Sequence, residues 1–222
     1  MNVLLFGASG MVGQGVLREC LLDPEVQSVV TIGRTATGTR HPKLRQIVHP
    51  DLMEYASLEA ELSGFDACFF CLGISSGGMK ESDYARITYG YTLAAAEVLS
   101  RLNPQMTFTY VSGAGTDSSE LGRSMWARVK GRTENALLRL PFKAAYMFRP
   151  GAIEPLHGIR SKTAAYQLFY TLFKWILPPL RQAFPNFITT TEQLGRAMLV
   201  AAKQGAPKRI LESRDIVALA PD

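Results

Sequence analysis

The sequence predicts an α/β fold: a doubly wound parallel sheet with helices on both faces and a small C-terminal substrate or lid region. Two observations carry that prediction. Strand-like and helix-like segments alternate along the chain. The opening run Val3-Leu4-Leu5-Phe6 is continuously apolar and leads into Gly7, Gly10 and Gly13, as expected of a strand buried on both faces that turns through glycines into a helix.

The elements follow in order. A helix over Val12 to Leu22 comes after the glycine turn, then strands over Ser28 to Gly33 and Leu44 to Val48. Ser57 to Leu62 reads as a short helix and Ala67 to Leu72 as a fourth strand ending at Gly73. A long helix runs from about Ser82 to Leu102, where Asn103-Pro104 stops it. Thr107 to Val111, rich in β-branched and aromatic residues, is a fifth strand. Glu120 to Leu140 is a helix closed by Pro141, and Ala144 to Phe148 a sixth strand before Arg149-Pro150-Gly151. Thr191 to Ala202 reads as a closing helix, capped by Thr191 and stopped at Gly205. This order predicts a Rossmann-type sheet forming a single domain over residues 1–222, with 152–190 as a substrate-pocket or lid region within it.

Composition bounds the function. The 222 residues suffice for a sizeable core, and 47% hydrophobic with 19% charged residues excludes a disordered chain. The net charge of +5 has no dense Lys/Arg block, so an anionic small molecule is expected as ligand rather than nucleic acid. The apolar run at Val3 has no basic region before it, which argues against a secretory signal and leads to the expectation of a cytoplasmic location. Ala164 to Leu180 is broken by Gln167, Lys174 and Pro178-Pro179, so no transmembrane span is expected. Tyr166 to Leu177 is nevertheless apolar on all sides; core and pocket wall is the first reading, a homodimer or peripheral membrane contact the second. Cys68 and Cys71 stand three apart on a strand and point to opposite faces, so with Cys20 they read as buried structural thiols. His41, His49 and His157 are scattered, and no metal site is expected.

In such a sheet the ligand lies beyond the carboxyl ends of the strands. The glycine turn there, Gly7-Ala8-Ser9-Gly10-Met11-Val12-Gly13, has the spacing of a nucleotide pyrophosphate site, where the helix start offers free amides and a positive dipole end. Strand two ends in Gly33-Arg34-Thr35, without the carboxylate that commonly binds the adenosine ribose of NAD. A guanidinium there pairs with a 2′-phosphate, so NADP(H) is expected in preference to NAD(H). Asp51-Leu52 and Cys71-Leu72-Gly73 complete the adenosine and phosphate side.

With these placed, the chain resembles the short-chain dehydrogenase/reductase superfamily, in its extended or atypical branch of epimerase/dehydratase type. Within that branch it resembles the Tat-interacting oxidoreductase-like proteins and, more distantly, the regulators named for nitrogen metabolite repression. Phe6-Gly7-Ala8-Ser9-Gly10, Ile32-Gly33-Arg34, Cys71-Leu72-Gly73, Val129-Lys130-Gly131-Arg132-Thr133-Glu134 and Phe148-Arg149-Pro150-Gly151 carry the likeness. The resemblance implies that Ser112 orients a substrate carbonyl and that Lys130 holds the nicotinamide ribose, with Pro150, Gly151 and Ile153 at the nicotinamide end. It also implies a proton-donating tyrosine four residues before Lys130, but Trp126 stands there, and indole does not ionise near neutral pH. The one literal Tyr-x-x-x-Lys, Tyr170 to Lys174, comes one element too late. The expectation is therefore an NADP(H)-dependent oxidoreductase on a small carbonyl or alcohol with another donor: Ser112 with water, or Tyr84, Tyr89 or Tyr146. The alternative is an NADP(H)-binding sensor without turnover.

Overall fold

The computed structural model describes residues 1–159 and 187–220. The apolar segment Tyr166 to Leu177, the Tyr170 to Lys174 match and most of the expected lid region lie outside the described residues. Nine strands and six α-helices are present among those described: β1 (Asn2–Phe6), α1 (Met11–Leu22), β2 (Ser28–Gly33), β3 (Leu44–Val48), β4 (Ala67–Phe70), α2 (Glu81–Ala85), α3 (Tyr91–Leu102), β5 (Thr107–Val111), α4 (Met125–Leu137), β6 (Ala144–Arg149), β7 (Ala152–Glu154), β8 (Ile188–Thr190), α5 (Thr191–Gln204), β9 (Ile210–Glu212) and α6 (Ser213–Leu219).

Seven strands form one sheet in the order β3-β2-β1-β4-β5-β6-β9, all pairs parallel, which is a Rossmann-like α/β fold. Its order reverses between β1 and β4, the switch point at which such sheets open a crevice. The continuous apolar run of β1 has a direct cause. Val3 and Leu5 belong to the core beneath α1, α5 and α6, while Leu4 and Phe6 belong to the core beneath α3 and α4. A strand buried on both faces has no side on which a polar residue can meet water. Cys68 and Cys71 likewise divide between the two cores, and all three cysteines are free.

Several expected boundaries move, each for a local reason. The fourth strand ends at Phe70 rather than Leu72, because Cys71 and Leu72 pass against Gly7, where β1 has already turned away. The helix expected from Ser82 is α2 and α3 joined by a π-helical turn over Arg86–Gly90, and Ala56–Leu62 is a 3₁₀ turn. Helix α4 starts at Met125 rather than Glu120. The Asp117 carboxylate takes the amides of Ser119 and Gly122, at 3.0 and 2.7 Å, and so closes a turn that competes with helix. The cap of α5 is Thr190, not Thr191. The Thr190 hydroxyl accepts from the Gln193 amide at 2.9 Å while the Gln193 side chain accepts from the Thr190 amide at 3.1 Å, a capping box. Thr191 instead accepts from the Leu156 amide at 3.1 Å. Strands β7, β8 and β9, each of three residues, are too short to show a period of their own. Among the described residues no helix is long and apolar enough to cross a membrane.

Candidate functional site

The crevice beyond β1 is built from backbone. Gly7 has φ of +78°, and a Cβ on it would lie 2.5 Å from the Leu72 amide nitrogen. A Cβ on Gly13 would lie 2.1 Å from the Gly7 carbonyl oxygen. Side chains are excluded at both positions, which lets α1 start hard against the turn. On Gly10 a Cβ would meet only the Gly7 oxygen, at 3.4 Å, so the outer side of the turn stays open. No side chain caps α1, and no acidic residue lies in its first turn. An uncapped helix start under an open glycine turn is a fitting seat for a pyrophosphate. Ala8 is buried in the turn, and Ser9, Met11 and Val12 are half-buried, with the Ser9 carbonyl accepting from Gln14 at 3.2 Å.

On the adenosine side, Arg34 and Thr35 are exposed beyond the end of β2. Asp51 accepts from the Met53 amide at 2.9 Å and so shapes its own turn, while Leu52 is buried in the core with Tyr55 and Ile32. Cys71 and Leu72 line the inner wall against Gly7, and Gly73 is exposed. Burial pushes the Cys71 thiol up, which makes it a wall rather than a nucleophile. A cavity of 530 Å³ extends from Ser9 along the outer face of α1 to Thr37 and His41; Ser112 and Lys130 take no part in it.

The second half of the site is made of side chains. Ser112, at the end of β5, is buried and held twice by α4: the Lys130 ammonium donates to its carbonyl oxygen, and its hydroxyl lies 2.5 Å from a Glu134 carboxylate oxygen. The same hydroxyl is 3.1 Å from the Phe148 carbonyl. Glu134 is fully buried, and Arg149 of β6 donates to both of its oxygens, its Nε at 3.1 and 3.2 Å. Arg149 also reaches Ser118, at 2.5 Å, and Glu212 of β9, at 3.2 Å. Burial alone would lower the Arg149 pKa, but its hydrogen bonds to Glu134 and Glu212 and their charges more than offset it and hold the guanidinium charged. Burial pulls Lys130 down to about 8, against an opposing pull from Glu134.

Sequence reasoning gave Glu134 no role and placed Arg149 only as a strand end. A signal was present: Glu134 falls on the α4 face that also carries the buried Ala127, Gly131 and Leu137, and a carboxylate there needs a cationic partner. The tyrosines named as possible donors differ in their surroundings. Tyr84 is buried, the Tyr89 ring is covered by Arg132 at 4.3 Å, and the Tyr146 hydroxyl accepts from the Ala206 amide at 3.2 Å. Trp126 is half-buried over Gly115. Pro150 is buried, its carbonyl accepting from the Ala114 amide at 2.8 Å; Gly151 donates to Ser213 at 2.6 Å, and Ile153 points into the core beneath α1.

The family model described as NAD dependent epimerase/dehydratase family matches residues 3–122, more than half of the chain. The chain belongs to the NAD dependent epimerase/dehydratase family. Among its relatives, "Protein fmp52-2, mitochondrial" of Aspergillus oryzae is 26% identical over 98% of the chain and 96% of its own length. "Protein HTATIP2" of Rattus norvegicus is 28% identical over 68% of the chain and 62% of its own length, and "Protein FMP52-2, mitochondrial" of Scheffersomyces stipitis 26% over 68% and 66%. Two solved structures share the fold. A short chain dehydrogenase/reductase of Saccharomyces cerevisiae has a TM-score of 0.66 at 14% identity, covering 99% of both chains. A UDP-N-acetylglucosamine 4-epimerase of Methanobrevibacter ruminantium has 0.69 at 16%, covering 94% of this chain and 74% of its own. The fungal names correct one expectation. A cytoplasmic location conflicts with relatives named mitochondrial; the lack of a basic region before Val3 bears on secretion and not on import into an organelle.

Proposed function

We propose that the chain is an NADP(H)-dependent oxidoreductase acting on a small carbonyl or alcohol, with Lys130 supplying the proton that a tyrosine supplies elsewhere in the superfamily. The observation that carries this reading is the half-buried Lys130 ammonium, fixed against the Ser112 carbonyl at a strand end and pulled to about 8. A group near 8 is well matched to proton transfer at neutral pH.

The residues present fit a nicotinamide dinucleotide: the glycine turn leaves room for a pyrophosphate beside Gly10 and none for side chains at Gly7 and Gly13. Gly7, Gly10, Gly13 and the first amides of α1 would hold the phosphates, Arg34 the 2′-phosphate of NADP, and Lys130 the nicotinamide ribose. When bound, the nicotinamide supplies the hydride. Carbonyl reduction also needs a proton at oxygen. The Lys130 ammonium donates it, becomes a neutral amine, and recovers a proton from water.

The test is loss of reduced-cofactor absorbance when NADPH meets a panel of aldehydes, ketones and quinones. Saturable turnover is expected, level at low pH and falling as pH rises through about 8, where Lys130 loses its proton. Lys130→Ala should reduce it by a factor on the order of 10²–10⁴. A second reading, an NADP(H)-binding sensor, is favoured by Trp126 in the donor position and by the Ser112 hydroxyl lying on Glu134. Tight NADPH binding without turnover on any substrate would select it.

A further inference from the structure

We propose that Glu134 is a positioning residue of this site: its carboxylate engages the Ser112 hydroxyl and sustains the positive charge of Lys130 one helical turn earlier. The proposal rests on the reading of Lys130 as proton donor and assigns the residue that keeps it one.

The geometry is a clamp. Lys130 and Glu134 lie four residues apart on α4 and therefore on one face. Lys130 grips the main-chain carbonyl of Ser112, and Glu134 its hydroxyl. A serine hydroxyl has one proton, and the neighbours recorded for it, the Glu134 carboxylate and the Phe148 carbonyl, both accept. That proton is thus committed within the protein, and Ser112 has none left to offer a substrate carbonyl.

Desolvation favours the neutral amine at Lys130, and Glu134 is the charged group opposing it. The cations on the elements packed around Lys130 are held by other groups. Arg149 of β6 is bound to Glu134 and to Glu212 of β9, Arg128 of α4 to Glu81 of α2 at 2.7 Å, and Arg132 lies over the Tyr89 ring. Arg149 holds Glu134 in place through both of its carboxylate oxygens.

Competitive acetylation read by mass spectrometry, on the full chain with and without NADPH, reports the pH midpoint of Lys130 directly and needs no turnover. The wild type should show a midpoint near 8. In Glu134→Gln the midpoint should fall by half a unit or more, so that labelling at pH 7 rises roughly threefold. Glu134→Gln leaves the Arg149 guanidinium short of a partner and can unfold. The pair Glu134→Gln with Arg149→Gln keeps an amide contact without either charge, and the same downward shift is expected of it. An unchanged or raised midpoint in a folded variant overturns the proposal. A lowered midpoint in a protein that binds NADPH but turns nothing over leaves Glu134 in this role and removes the oxidoreductase reading instead.

Discussion

The β1–α1 crevice and the β5–α4–β6 corner lie at the same end of one sheet, yet they are made of different material. The first is shaped by absent side chains: Gly7 and Gly13 allow Cys71, Leu72 and the start of α1 to approach where no Cβ fits. The second is shaped by side chains that meet from separate elements, Ser112, Lys130, Glu134, Arg149 and Glu212. A backbone-built site tolerates much change around it and none at the glycines. A side-chain-built site fails in proportion to how deeply the removed partner is buried.

The largest effect is expected from Arg149→Ala. It leaves the fully buried Glu134 carboxylate without its cation, and removing one partner of a buried pair costs about 3–5 kcal/mol. Denaturant melts should show the full loss, with NADPH affinity in the surviving folded fraction little changed because the glycine turn is untouched. A loss below about 1 kcal/mol would mean that water reaches Glu134 readily, and the contrast between the two regions would shrink.

Gly13→Ala is the converse experiment. Its Cβ would overlap the Gly7 carbonyl oxygen, and that neighbour is backbone, which cannot swing aside. Overpacking of this kind costs about 1–3 kcal/mol, less than the broken ion pair. Because the shift falls on the turn itself, NADPH binding should be lost while the Lys130 midpoint near 8 is kept. If Gly13→Ala moved that midpoint as well, the two regions would be one coupled unit.

The same division decides what could be read in the sequence. Glycine spacing, the apolar run of β1 and the strand ends are local, and the strands β1, β2, β3 and β5 fall where their patterns place them. The network from Ser112 through Glu134 and Arg149 to Glu212 joins residues 15 to 63 apart through particular atoms, and nothing local encodes it. Even so, a carboxylate on the buried face of α4 and an arginine in a buried strand each demanded a partner, and chemistry of that kind narrows the pairing. The capping threonine was missed by one position for the same reason. Thr190 and Thr191 are alike in sequence, and only the Gln193 bond to the first and the Leu156 bond to the second tell them apart.

Arg34→Ala gives the smallest expected effect and sharpens the comparison most, since it tests a side chain set on the backbone-built half. Arg34 is exposed beyond β2 and carries no part of the fold, so its removal should leave the melting temperature unchanged. A charge-assisted contact in so open a place is expected to contribute about 1.4 kcal/mol, a tenfold weakening of NADPH. NADH lacks the 2′-phosphate and should bind the variant as it binds the wild type. Calorimetric titration with both cofactors measures the two losses side by side. Equal losses would mean that Arg34 meets a feature the cofactors share, and the preference for NADP(H) would have to come from another residue or be given up.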